Sequence, residues 1–355
     1  MKGLILAAGL GTRLRPITSL RPKPTISVAN KPLIHYAIDN LRSAGVTEIG
    51  VVVGVATEVS IREVLADIEG VQFEFITQDP PLGLAHAVKV AQPFLGDESF
   101  IMYLSDNLFE RGVDYVAEAF KPAEGVNAVL ALVTVPDPRA LGVAVVENGR
   151  IARLVEKPKV PPSNLAVAGV YVFDASIHDA IEGLEPGAKG EYQITDAIQR
   201  LIDSGGTVAP VLVEGWWKDT GKSEDILDAN RLMLAALRGS VDGLVENCEL
   251  VGEVVIEQGA EVRNSTIFGP ALIGKGAKVD RAYVGPFTTL GDEVTVSDAE
   301  LEYSVVGAGS SISSIGARIQ ASLIGEDVVI TGHANRPSTH RLIVGDESRI
   351  ELQEG

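Results

Sequence analysis

The sequence predicts two domains of different build: a Rossmann-like α/β domain around a mostly parallel sheet over residues 1–240, and a left-handed parallel β-helix over residues 241–355. Two patterns carry this. Up to about residue 238, apolar β-branched runs alternate with segments of helical spacing, the mark of an α/β sheet. Beyond it, aliphatic residues return every five or six positions, at Leu250, Ile256, Val262, Ile267, Ile273, Val279, Val284, Leu290 and Val296, with Gly, Asn and Asp between them. That beat suits a triangular coil that turns one aliphatic side chain inward on each face. An antiparallel sandwich would alternate with period two instead.

In chain order, Gly3 to Ile5 opens the first strand, and Ile49 to Gly54, Gln72 to Thr77, Phe100 to Leu104 and Ala128 to Val135 read as buried strands. Leu33 to Ala44, Val59 to Ile68 and about Glu224 to Leu237 have helical spacing. Arg238-Gly239-Ser240 reads as a helix stop and linker. The repeat slips after Val296, through Val306, Ile312, Ile319, Ile324 and Ile330.

The 355 residues are 46% hydrophobic, with mean hydropathy +0.20, enough to bury two cores. A net charge of −18 disfavours general nucleic-acid binding, so cations gathered at one place stand out. The single cysteine, Cys248, allows no internal disulfide and suits a reducing compartment. With no leader-like start and no apolar run of membrane length, a cytoplasmic protein is expected.

Leu6-Ala7-Ala8-Gly9-Leu10-Gly11-Thr12-Arg13-Leu14 leads from the first strand into a glycine-rich turn whose bare amides can approach phosphate, with Arg13 inside it. A dinucleotide fingerprint would need glycine where Leu14 stands, and the Gly-Lys-Ser/Thr of a P-loop is absent. Arg21-Pro22-Lys23-Pro24 adds stiffened cations close by. The glycines alone would equally suit an ordinary sheet turn. Asp106 follows a buried strand, where a parallel sheet presents ligand groups, and Asp219 lies between Trp216-Trp217 and a glycine turn. Two carboxylates brought together repel unless a cation sits between them, and at a phosphate site that cation is Mg2+. Asp106 alone reads as well as a turn or cap residue. Glu156 and Lys157 could accept sugar hydroxyls and neutralise a phosphate, or form a surface ion pair. Gln78 can both donate to and accept from a pyrimidine edge that Gly83 lets backbone approach.

LAAGLGTRLRP, RPKP and Asn30-Lys31-Pro32-Leu33-Ile34 resemble the signature of sugar-phosphate nucleotidylyltransferases, most closely the long group acting on dTTP and glucose 1-phosphate. The resemblance runs through nearly the whole chain. It implies nucleotide contacts from Leu6, Ala8, Gly9, Gly11, Thr12, Arg13, Gln78, Gly83 and Asp106, and Mg2+ on Asp106 and Asp219. It implies sugar-phosphate contacts from Gly142, Glu156, Lys157, Asn164, Val167 and Glu191, with Arg13, Lys23 and Lys157 as the catalytic cations. Two positions depart from the pattern: Ser105 stands where glycine is usual, and its β-carbon could crowd the ligand, while His86 stands where many relatives carry glutamine.

The expected reaction is attack of glucose 1-phosphate on dTTP, giving dTDP-glucose and pyrophosphate. UTP or another hexose 1-phosphate is the alternative. A non-catalytic regulatory or assembly subunit, and a β-helix acyltransferase using His333 or His340, are the rivals from other classes. The β-helix is expected to serve assembly of a homo-oligomer, so that a chain cut near Ser240 keeps its activity.

Overall fold

A computed structural model gives the structure of the protein and describes residues 1–9, 11–121, 124–187, 190–332 and 350. Its contacts divide the chain into two units. The first comprises Met1–Leu10, Arg21–Thr25 and Leu33–Asp219, the second Gly11–Leu20, Ile26–Pro32 and Thr220–Gly355.

The first unit is built on a nine-stranded sheet. Its strands are β1 (Lys2–Leu6), β2 (Glu48–Val53), β3 (Gln72–Thr77), β4 (Phe100–Leu104), then, after a separate short strand β5 (Asn107–Phe109), β6 (Ala128–Thr134), β7 (Gly142–Glu147), β8 (Arg150–Glu156), β9 (Leu165–Phe173) and β10 (Val208–Leu212). The order is β8-β7-β9-β4-β1-β2-β3, with β6 paired to both β9 and β10. The centre, β4-β1-β2-β3, is parallel, and β9 runs against β4, β6 and β7. Strands buried on both faces need apolar residues at successive positions, which is why Leu4, Ile5 and Leu6 are all buried. Leu4 and Leu6 face α3 (Leu84–Leu95), α5 (Ser176–Glu182) and α6 (Ile194–Asp203), through a core with Val88, Ile177 and Ile198. Ile5 and Ala7 face α1 (Leu33–Ser43), α2 (Glu58–Leu65) and α4 (Asp114–Glu118), through Ala37, Ile61 and Val116.

In the second unit, α7 (Ser223–Ala235) is followed by three parallel sheets of six, six and five short strands, the faces of the β-helix that the repeat predicts. The first of these strands is Ser240–Val241. Val245, Val262, Val279 and Val296 stack in register, each coil advancing the chain by 17 residues, and the last three are fully buried. A coil of 17 accounts for a beat that repeats as six, six and five. The slip after Val296 is physical: Ile312 follows at a shorter step and Ile330 at a longer one, and both keep the register. Corners at Asn247, Asn264 and Asp298 take positive φ, a conformation that Asn and Asp tolerate.

The second unit also holds the short hairpin of Ser27–Val28 and Lys31–Pro32. Buried Asn230 of α7 ties hairpin to coils: its Oδ1 accepts from Ala29 N (2.8 Å) and Thr289 Oγ1 (2.8 Å), while its Nδ2 donates to Phe287 O (3.2 Å). Asn30 Nδ2 donates to Asp292 Oδ1 at 2.7 Å and to Glu257 Oε2 at 3.3 Å. These bonds argue against dispensable coils. A chain ending at Ser240 removes the coil partners of Asn230 and Asn30 and opens both amides to water, so the hairpin loses the coils that tie it down. The Arg13 turn belongs to the same unit. We therefore expect turnover per folded molecule to fall, toward the about 10²-fold loss that removal of one electrostatic stabiliser brings, where the turn no longer holds Arg13. Unchanged turnover in a soluble truncated chain would show that the turn is ordered without the coils.

Candidate active site

Strand β1 delivers Leu6, Ala8 and Gly9 beyond the carboxyl end of the sheet, Ala7 N continuing the ladder onto Val52 O at 2.8 Å. A Cβ at Gly9 would meet nothing within 4 Å among the described residues, so packing alone does not require glycine there. Gly11 takes φ +59 and accepts from Leu14 N and Thr18 Oγ1, closing the turn that carries Thr12 and an exposed Arg13. These three residues group with the second unit.

Asp106 and Asp219 are brought together by one short ladder. β11 (Trp217–Asp219) pairs antiparallel with β5, placing Asp219 opposite Asn107, the neighbour of Asp106. Between the carboxylates lies Lys23, only 7% exposed, its Nζ 2.6 Å from Asp106 Oδ2 and 3.7 Å from Asp219 Oδ1. A buried ammonium requires such partners, and the two carboxylates require a cation. The pair is a hard, oxygen-only donor set of the kind that fits Mg2+. Among the described residues there is no group of three or more His, Cys, Asp or Glu that could hold a metal.

The residues that aim Asp106 are ones sequence reasoning missed. Asn107 Nδ2 donates to Asp106 Oδ1 (2.8 Å), while its Oδ1 accepts from Trp217 Nε1 (2.8 Å). Tyr103 Oη donates to Asn107 O (3.0 Å) and accepts from Asn40 Nδ2 (2.8 Å). Gly169, at φ +79, makes room, since a Cβ there would stand 2.8 Å from the Asn107 side chain. Ser105 is turned inward, its buried hydroxyl donating to Leu6 O at 2.7 Å.

A second cluster forms where β8 ends. Glu156 pairs with Gly142 across the β7–β8 ladder, its Oε2 accepts from Thr195 Oγ1 (3.1 Å), and its Oε1 lies 2.9 Å from Lys157 Nζ. A Cβ on Gly142 would meet Thr195 Cγ2 at 2.8 Å and Val167 Cγ2 at 3.7 Å, so Gly142, Glu156, Lys157 and Val167 share one neighbourhood. Asn164 leads into β9 and accepts from Val135 N through its carbonyl.

Gln78 follows β3. Its Nε2 donates to Gly83 O (2.9 Å) and to His86 Nδ1 (3.0 Å), and the His86 ring stacks on Tyr192. Burial, and secondarily Lys89, push the His86 imidazole below its ordinary pKa. Gly83 has φ +99, and a Cβ there would lie 2.6 Å from Tyr192 O, so no other residue fits. Glu191 lies beside this loop, its Cβ 3.2 Å from the same point, and its carboxylate accepts from Gln193 Nε2. One segment thus touches both clusters: Tyr192 on the Gln78 loop and Thr195 on Glu156. His333 and His340 lie outside the described residues, and no described helix is long and apolar enough to cross a membrane.

The nucleotidyl transferase family model matches residues 2–236. A glucose-1-phosphate thymidylyltransferase of Streptomyces griseus is 44% identical over 99% of each chain. A low-salt glycan biosynthesis nucleotidyltransferase of Haloferax volcanii is 45% identical over 99% of this chain and all of its own length. Among solved structures, a putative glucose-1-phosphate thymidylyltransferase of Bacillus anthracis superposes with a TM-score of 0.62 at 33% identity, covering 68% of this chain and 98% of that one. With a family model spanning the α/β sheet and its carboxylate pair, and relatives alike over their whole length, the chain belongs to the nucleotidyl transferase family.

Proposed function

We propose that the protein joins dTTP to glucose 1-phosphate, releasing pyrophosphate and forming dTDP-glucose. The observation that carries this reading is the convergence of Asp106 and Asp219 on one buried cation, Lys23, beside a strand-end site. The full-length similarity to a glucose-1-phosphate thymidylyltransferase supports the choice of substrates.

A phosphate dianion is already a competent nucleophile, so the protein's work is positioning and charge stabilisation. Lys157 binds the phosphate of glucose 1-phosphate and offsets its repulsion from the triphosphate. Glu156 and the Gly142, Asn164 and Val167 backbone hold the hexose hydroxyls, with Glu191 closing the pocket. Gln78 and Gly83 receive the pyrimidine edge. Leu6, Ala8, Gly9, Gly11 and Thr12 line the nucleotide, and Arg13 and Lys23 neutralise the triphosphate and the departing pyrophosphate. Asp106 and Asp219 would hold Mg2+, which would supply positive charge to stabilise the α-phosphate as it reacts. The exposed Val241 and Leu244 of the first coil support a homo-oligomer, and the single cysteine suits a reducing, cytoplasmic setting.

Pyrophosphate release across four nucleotides and several hexose 1-phosphates tests the proposal. We expect dTTP with glucose 1-phosphate to be best and UTP to be a detectable second, since a pyrimidine-edge contact excludes purines more readily than it senses a 5-methyl group. Equal or better rates with ATP or GTP would overturn the assignment.

A further inference from the structure

The amide of Gln78 is locked from one side only. Its –NH2 can donate twice, and both hydrogens are used: one to the carbonyl of Gly83 at 2.9 Å, the other toward His86 Nδ1 at 3.0 Å. A backbone carbonyl only accepts, so Gly83 decides which end of the amide is nitrogen. It follows that His86 Nδ1 must be an acceptor, with its proton on Nε2. No hydrogen bond among the described residues takes Gln78 Oε1. The amide therefore offers a ligand an acceptor and nothing else.

From this geometry we propose that His86 is a specificity-determining positioning residue: by accepting from Gln78 Nε2 it holds Oε1 outward, and so selects a base that carries an N3–H. The proposal rests on the reading above in which Gln78 meets the base. Thymine and uracil donate N3–H to such an oxygen. Cytosine presents a bare N3 lone pair at the same place, so two acceptors would face each other. Without an acceptor at position 86, the second Gln78 hydrogen is unpartnered where the residue is 5% exposed, and the amide, anchored to Gly83 O alone, is free to swing Oε1 away from the base. The stacking of the His86 ring on Tyr192, with Tyr192 N donating to Leu82 O (2.7 Å) and Ala85 N donating to Tyr192 O (3.1 Å), fixes where that acceptor stands.

The test uses the full chain, glucose 1-phosphate, and dTTP or dCTP, with KM and kcat measured for four variants. His86→Phe keeps a ring against Tyr192 and removes the acceptor. We expect it to raise the KM for dTTP about tenfold with kcat within about twofold, and to narrow the dTTP/dCTP preference by a similar factor. His86→Asn restores an acceptor oxygen near the position of Nδ1 and should return both values to within about twofold of wild type. In the double variant with Gln78→Ala, His86→Phe should add nothing, because its effect runs through the amide. An unchanged dTTP/dCTP ratio in His86→Phe, no recovery in His86→Asn, or effects that multiply in the double variant would overturn the proposal. If Gln78→Ala alone left the dTTP KM unchanged, the base-reading role of Gln78 would itself be wrong, and the proposal would fall with it.

Discussion

Asp106→Asn and Asp219→Asn should each lower kcat by about two to three orders of magnitude, the size seen when one electrostatic stabiliser of a transition state is removed. Each substitution keeps the shape of the side chain. The β5–β11 ladder, with Asp219 opposite Asn107, is held by backbone bonds and by Trp217 Nε1 on Asn107, and in each single variant the other carboxylate still partners Lys23, so the fold should survive at reduced stability. The double variant should be little worse than either single one, because groups that act through one bound cation are non-additive. EDTA should abolish turnover in the wild type and Mg2+ should restore it. Multiplying losses, or activity that survives full chelation, would return both aspartates to structural roles.

Lys157→Gly should separate activity from stability. Lys157 sits at φ +42, a conformation that costs a residue with a Cβ about 1–2 kcal/mol and that glycine adopts freely. Glycine's extra freedom in the unfolded chain cancels about 0.4–1 kcal/mol of that gain, and the exposed pair with Glu156 contributes little. Thermal stability should therefore hold or rise slightly. Turnover should fall by about two orders of magnitude, since the variant loses the cation that brings the second phosphate in. The strain would then be a cost carried by a working side chain. Near-normal kcat/KM for glucose 1-phosphate would remove Lys157 from the mechanism.

Local patterns were legible where burial dictates residue type. The strand Phe100–Leu104 ends where its apolar run ends, whereas Gln72–Thr77, read as a buried strand, lies at the sheet edge with no residue buried, and the 17-residue coil shows as a beat of five and six because inward Val and Ile must stack. Asp106 could be picked out because a strand end in a parallel sheet is where ligands bind, and Lys23 because prolines flank a cation in a net-acidic chain. What holds them was not legible. Asn107, Tyr103 and Trp217 act through hydrogen bonds between residues as far as 110 positions apart, and nothing in local periodicity encodes such pairs. The same holds for Asn30 and Asn230, which read as turn and helix residues until the coils bring Asp292 and Thr289 to them. Ser105 carries a β-carbon that could crowd the ligand, and its hydroxyl turns inward to the Leu6 carbonyl, which also accepts from Ser105 N. Glu191 was assigned to the sugar pocket by resemblance, and its segment packs on the Gly83 loop and reaches Glu156 through Thr195.

Direct attack by the sugar phosphate on the α-phosphorus, with no enzyme nucleophile between, is the centre of this account. It is tested most directly by stereochemistry: dTTP made chiral with sulfur at the α-phosphorus is converted with glucose 1-phosphate, and the configuration of the product is read. One in-line displacement inverts the phosphorus centre. Inversion is the result the account predicts, and net retention, which requires two displacements through a nucleotidylated side chain, would contradict it.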